Sequence, residues 1–226
     1  VLCDMADKLE AAEDLPMALH DMIKDTIAAH KRIIFNGNGY SDEWVVEAER
    51  RGLPNIKCMV DAVPALVKPE AVEIFEKHGV YTKAEMESRA EVMYETYSKT
   101  INIEALTMID MAKKQIVPAT IKYQTSLAES VNAIKAASSA VDTSVQEALM
   151  ADISTNLKDM YAALAHLEEV AGKAEAMEEG AEQGHYYHDV VFTAMDELRK
   201  PADKLEMLVA KSAWPFPSYG DLIFEV

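Results

Sequence analysis

Cysteine is nearly absent from this 226-residue chain, which has only Cys3 and Cys58 and no C-x-x-C pair. That excludes a disulfide framework and a zinc-finger spacing, and it fits a reducing cytosol. Glycine and proline are scarce too, eight of each, so turns are few and the elements must be long. No apolar run approaches the roughly 18 residues that a membrane-spanning helix needs. No basic stretch followed by an apolar one marks a signal peptide at the N-terminus. Positive charge is short as well, with 22 Lys plus Arg against 39 Asp plus Glu and a net charge of −17. Such a surplus repels nucleic acid and anionic membrane, which excludes both as main partners. It also makes a polyphosphate pocket hard to build from these residues alone. The opening Val1-Leu2-Cys3-Asp4-Met5 already carries helical periodicity without an initiator Met or a cap, as expected of a piece of a longer protein.

What remains is material for a core: half the residues are apolar and 27 % are charged. The length suits one large domain or two small ones. Two helical pieces fill the first thirty residues, broken near Asp14-Leu15-Pro16, where Asp14 can cap and Pro16 sits harmlessly in the first turn. Ile33-Ile34-Phe35 reads as a short strand before the turn signals Asn36-Gly37 and Asn38-Gly39. Ser41 then caps a short helix that Gly52 ends. Pro54, Pro64 and Pro69 break residues 53–69 into short pieces, and a helix from Pro69 stops at Gly79.

Thr82-Lys83-Ala84-Glu85 is a capping box that fixes a helix start at Lys83. Apolar residues follow at helical spacing through Met86, Ala90, Met93, Tyr97, Ile101 and Met108, until Pro118 must kink or end the helix. Periodicity resumes at Ile121, Leu127, Val131 and Ile134. Ser144-Val145-Gln146-Glu147 reads as a second capping box. It opens a seam at Ile153, Leu157, Met160, Leu164 and Leu167, spaced as in a coiled coil. Residues 168–184 hold six Glu and three Gly, which reads as a frayed helix end and a solvated loop. A last helix runs through Val191, Met195, Leu198, Ala202, Leu205 and Leu208, with Pro201 expected to bend it. The tail from Trp214 to Asp221 reads as non-helical. The expected fold is mainly α, an antiparallel bundle of long helices preceded by a small mixed segment with one or two short strands.

Motifs that carry chemistry are weak. Gly37-Asn38-Gly39-Tyr40-Ser41-Asp42 sits between a strand and a helix, as a dinucleotide-binding fingerprint requires. Its third glycine is replaced by Asp42, whose carboxylate would repel a pyrophosphate at that helix start, so a turn with an N-cap is preferred. Glu182, His185 and His188 resemble one half of a di-iron motif. None of the other histidines (20, 30, 78 and 166) supplies the second E-x-x-H that such a site needs, so an exposed helix start is preferred. Cys58 lies among Ile56, Met59 and Val60 and reads as a buried small hydrophobe. Arg32, Arg50, Arg51 and Arg89 have acidic neighbours and read as surface pairing. The thirteen methionines read as adaptable core filling, with a partner-binding groove as the sharper alternative. No nucleophile elbow, phosphate-binding G-x-x-x-x-G-K-[ST] loop or H-E-x-x-H appears. No catalytic, cofactor-binding or metal-binding residue is assigned.

Three stretches resemble type III glutamine synthetases near their C-terminus. They are Lys31-Arg32-Ile33-Ile34-Phe35-Asn36-Gly37-Asn38-Gly39-Tyr40-Ser41-Asp42-Glu43-Trp44, then Tyr97-Ser98-Lys99-Thr100-Ile101-Asn102-Ile103-Glu104-Ala105, and finally Trp214-Pro215-Phe216-Pro217-Ser218-Tyr219-Gly220-Asp221-Leu222. The resemblance runs in order along the chain, with residues 138–184 matching only in helical character. It implies that residues 1–66 close the catalytic domain and that 67–226 form the helical extension of the family. It also implies a parent enzyme that joins ammonia to glutamate through γ-glutamyl phosphate, using ATP and Mg²⁺ or Mn²⁺. The family's metal, phosphate and glutamate ligands lie upstream of the matched region, so the fragment alone is expected to be inactive. Partners implied are other subunits of a stacked-ring homo-oligomer, in the cytoplasm. The rival expectation is a free-standing helical interaction module without catalysis.

Overall fold

The computed structural model describes residues 1–224, and it is α-helical with no strand among the described residues. The chain divides into two compact units, Val1–Lys57 and Cys58–Val226. The first begins with α1 (Leu2–Glu10) and α2 (Leu15–His30). Asp14 caps α2, its carboxylate accepting the Met17 N–H at 3.1 Å, and Pro16 lies in the first turn. The expected strand at Ile33-Ile34-Phe35 does not form. Lys31–Ile33 is a 3₁₀ turn, and the extended backbone after it has no neighbouring strand. Instead the Arg51 guanidinium donates to the carbonyls of Arg32 and Ile34, at 3.0 and 2.5 Å. One side chain thus supplies donors that a second strand would have supplied. Arg51 stands at the C-terminal end of α3 (Asp42–Arg50), after which Gly52 takes a φ of +71°.

In the second unit come α4 (Met59–Leu66), α5 (Pro69–Lys77) and the long α6 (Lys83–Met111). The capping box at α6 is present: Thr82 Oγ1 accepts the Glu85 N–H, and Glu85 Oε2 accepts the Thr82 N–H at 2.7 Å. Pro64 lies inside α4 and cannot donate to the carbonyl of Val60, four residues back. The buried Tyr94 hydroxyl of α6 donates to that carbonyl instead, at 3.3 Å. Met86, Ala90 and Ile101 are buried as their spacing predicts, whereas Met93 and Ile121 face solvent.

Pro118 neither ends nor breaks the helical run. A π turn, Ala112–Ile116, precedes it, and the Val117 N–H bonds the Ala112 carbonyl five residues back. Pro118 then falls in the first turn of α7 (Val117–Ala137), where its missing N–H costs little. The second capping box does not form, because α8 (Ser144–Glu175) starts one residue early with Thr143 at the N-cap. Ser144 donates its N–H and hydroxyl to Asp142, and Glu147 accepts from Thr143 Oγ1. The seam is correct: Ile153, Met160, Leu164 and Leu167 are essentially inaccessible, and Leu157 packs against them.

Residues 168–184 differ most from the sequence expectation. The helix continues to Glu175 and buries Val170, Ala171 and Ala174 beneath the acidic face. After a short turn, α9 (Ala181–Tyr186), a π turn at Tyr187–Val191 and α10 (Phe192–Leu208) follow. Pro201 lies buried inside α10 without ending it. The tail is non-helical only as far as Ser218. A short α11 (Tyr219–Phe224) starts there, with Asp221 accepting from the N–H and hydroxyl of Ser218.

α8 runs antiparallel to α7 and the turn before it, as two ion pairs record directly. Lys135, late in one helix, pairs with Glu147, early in the next, while Lys113 further back pairs with Glu168 further on. The largest core lies between α6, α8 and α10, around Ile153, Met160, Leu164, Leu167, Val191 and Leu198. A smaller cluster, Val60, Val63, Ala90 and Tyr94, pins α4 to α6.

Candidate functional site

The loop at residues 36–41 is the nearest thing to a nucleotide motif, and its geometry is that of a turn. Asn38 Oδ1 accepts the Tyr40 N–H at 3.0 Å, and the Ser41 hydroxyl donates back to the Asn38 carbonyl at 3.0 Å. Ser41 stands at the N-cap of α3 but makes no side-chain cap bond there. Asp42 and Glu43 occupy the first helical turn, so the helix start repels rather than attracts a phosphate. A Cβ at Gly37 would sit 2.4 Å from the tip of the Phe35 ring, so a larger residue there would have to displace that ring.

Behind the loop is a knot centred on Arg51. Its guanidinium bonds Glu47 at 2.5 Å and lies 5.8 and 6.0 Å from the ring centres of Phe35 and Trp44, which stack at 4.0 Å. Hydrogen bonds from Arg50 and then Arg51 pull the Glu47 carboxyl down to about 2. Arg50 does pair on the surface, with Glu47, and Arg89 lies 4.2 Å from the Tyr81 ring centre. Arg51 does more than the surface pairing expected of it, since it holds residues 32–35 against α3.

The half-motif at Glu182, His185 and His188 is dispersed. The helix is already formed at Gly184, which the Tyr94 ring crowds so closely that an added Cβ would meet it at 3.0 Å. His185 Nδ1 lies 3.8 Å from Asp61, and His188 Nδ1 lies 2.7 Å from its neighbour Asp189. Among the described residues no group of three or more His, Cys, Asp or Glu side chains could hold a metal ion. Cys58 is half-buried, and its thiol donates to Asp61 at 3.0 Å. Desolvation, and then that bond, push the thiol above its ordinary value, away from the thiolate a nucleophile needs. Neither Asp61 nor Tyr94 was singled out from sequence. The signal for Tyr94 was Pro64, whose place in a helix implies a carbonyl in want of a donor.

The chain is similar in sequence to known glutamine synthetases. Residues 18–135, just over half of the chain, match the family model of the glutamine synthetase C-terminal domain. A glutamine synthetase of Butyrivibrio fibrisolvens is 37 % identical over 216 residues, covering 96 % of this chain and 31 % of the relative. A type-3 glutamine synthetase of Dictyostelium discoideum is 29 % identical over 92 % of this chain and 29 % of its own length. A glutamine synthetase of Bacteroides fragilis (strain YCH46) is also 29 % identical, over the same shares. The chain thus spans about a third of the length of these relatives. It belongs to the glutamine synthetase family, of which it carries a C-terminal portion.

Proposed function

We propose that the chain serves as the closing part and helical extension of a type III glutamine synthetase, supplying scaffold and assembly surface to the enzyme. The parent activity is ligation of ammonia to glutamate through γ-glutamyl phosphate, with ATP and Mg²⁺ or Mn²⁺. The names of the relatives support this chemistry. This part is inactive alone, since among the described residues no polar cluster joins a nucleophile, a base and a phosphate cradle. The setting is the cytoplasm, with other copies of the parent chain as partners.

One observation carries the scaffold role. In residues 1–57 only Ala48 is buried, while α2 presents Leu15, Leu19, Ile23 and Ile27 to solvent. These follow one another at four-residue spacing and form one apolar stripe along the helix. A stripe of that kind belongs against another surface. The chain covers only 31 % of its 37 % identical relative, so the catalytic domain of the parent enzyme is the surface that fits.

The test is an assay of the 226-residue chain for γ-glutamyl transfer with ATP and Mg²⁺, beside the full-length parent. Turnover by the parent and none by the chain is expected. Turnover by the chain alone overturns the scaffold role. A parent whose activity and oligomeric state survive Ile23→Asp would also overturn it, because the stripe would then be idle.

A further inference from the structure

Two of the six asparagines, Asn36 and Asn38, are followed by glycine, and both are exposed in the loop ahead of α3. Besides making a turn, an Asn-Gly pair carries chemistry of its own. The backbone nitrogen of the second residue can attack Cγ, the side-chain carbonyl carbon of the first. Glycine obstructs this least, because it has no Cβ beside that nitrogen. Inside a helix the attack is prevented, since the backbone is fixed and each N–H is held by a carbonyl. Asn102, Asn132 and Asn156 are in that position, within α6, α7 and α8. Asn55 is exposed outside any helix, but the β-branched Ile56 follows it and shields the nitrogen.

The fold separates the two asparagines that remain. Neither Gly37 nor Gly39 donates its N–H to a backbone carbonyl among the described residues. Asn38 Oδ1 accepts the Tyr40 N–H at 3.0 Å, a turn that folds the side chain back across Gly39. That bond brings Cγ to the side of the Gly39 nitrogen. It also draws electron density from the carbonyl that must be attacked. No such bond folds Asn36 among the described residues, and the tip of the Phe35 ring lies against Gly37. Closing a ring at Asn36 would have to move that peptide past the aromatic side chain.

We propose that Asn38 is a site of spontaneous deamidation, which proceeds through a cyclic imide with Gly39. The bond from Gly39 N to Cγ forms, and the bond from Cγ to Nδ2 breaks. The side-chain nitrogen leaves as ammonia, taking with it the proton that Gly39 N carried. Water then opens the imide at either carbonyl, which leaves aspartate or isoaspartate. In isoaspartate the main chain runs through the former side chain and is longer by one methylene. The Asn38 carbonyl accepts from the Ser41 N–H at 3.3 Å and from its hydroxyl at 3.0 Å. It then leaves the main chain as a carboxylate, and the turn ahead of α3 is rebuilt. The change is slow, irreversible and needs no enzyme, so it marks the age of the first unit. It rests on no family assignment.

Peptide mass spectrometry on the 226-residue chain, kept in warm and mildly alkaline buffer, tests this. Isoaspartate is counted with an isoaspartyl methyltransferase and a labelled methyl donor. Asn38 should become acidic before any other asparagine, Asn36 included, with more isoaspartate than aspartate. Gly39 has no positive φ, and a Cβ added there meets nothing within 4 Å. Gly39→Val therefore keeps the loop and should slow the conversion about tenfold or more, by shielding the nitrogen. Conversion of Asn38 no faster than that of Asn55 overturns the proposal, and so does Asn36 reacting first. An unchanged rate in Gly39→Val, or aspartate without isoaspartate, overturns it too, because no imide would then have formed.

Discussion

Seven side chains of α8 are buried, against a single one, Ala48, in the whole of residues 1–57. The first unit is nonetheless not a polar one. It holds Leu15, Leu19, Ile23, Ile27, Ile33 and Ile34, all exposed. Its local devices are good, with a capped α2 and the Arg51 knot, yet they order short pieces without giving them a shared interior. The second unit arranges comparable residues so that α6, α8 and α10 cover each other. Helices gain most of their stability in proteins from burying an apolar face, so the two units should differ in stability far more than in helix content.

The largest contrast should appear in hydrogen exchange. Amides of α1 to α3 should exchange orders of magnitude faster than those of α8 and α10, as expected where little apolar contact holds a helix. Equal protection in both would remove the comparison. Core substitution comes next. Leu167→Ala should cost about 2–5 kcal/mol in urea unfolding, whereas Ile23→Ala should stay within about 0.5 kcal/mol. A large loss at Ile23 would mean that α2 has an interior after all.

Tyr94→Phe is expected to cost about 1–3 kcal/mol, because the Val60 carbonyl then loses its donor in a buried place. Adding Pro64→Ala, which restores a backbone N–H in α4, should recover much of that loss. Independent, additive effects would show that the hydroxyl does not stand in for the missing amide. The smallest effect belongs to the knot in the first unit. Glu47 titrates near 2 in the folded protein, below its ordinary 4.5, because Arg50 and Arg51 bond its charged form. Its contribution is therefore present above pH 4.5 and is lost as pH falls through about 2. Fluorescence of Trp44 in a Trp214→Phe background should change over that window in the native protein and not in Glu47→Gln. A transition that persists in Glu47→Gln would assign it elsewhere.

Features set by neighbouring residues were legible in the sequence: the Asp14 cap, the box at Thr82 and Glu85, and the seam from Ile153 to Leu167. What escaped depends on partners far along the chain. Ile33-Ile34-Phe35 has strand composition, but a strand needs a second one, and Arg51 took its place. Residues 168–175 look solvated because one face is acidic, while the face with Val170, Ala171 and Ala174 is core. Gly184 looked like a helix breaker and is a spacer for the Tyr94 ring. Both π turns were invisible, since apolar spacings of three and four residues tolerate one extra residue without losing the face. Buried polar residues were the least legible part. Ser98 sits in a polar helical run, and only the fold shows that it is buried.

The two π turns bear on how this family can change in length. Each packs one residue more into a turn than an α-helix does, so removing one residue leaves both flanking faces in register. At Tyr187–Val191 such a deletion should be nearly silent to the bundle. At Ala112–Ile116 the shortened helix would drive Pro118 into the carbonyl four residues before it. Relatives should therefore show single-residue gaps at the second turn, and at the first only where the proline is gone.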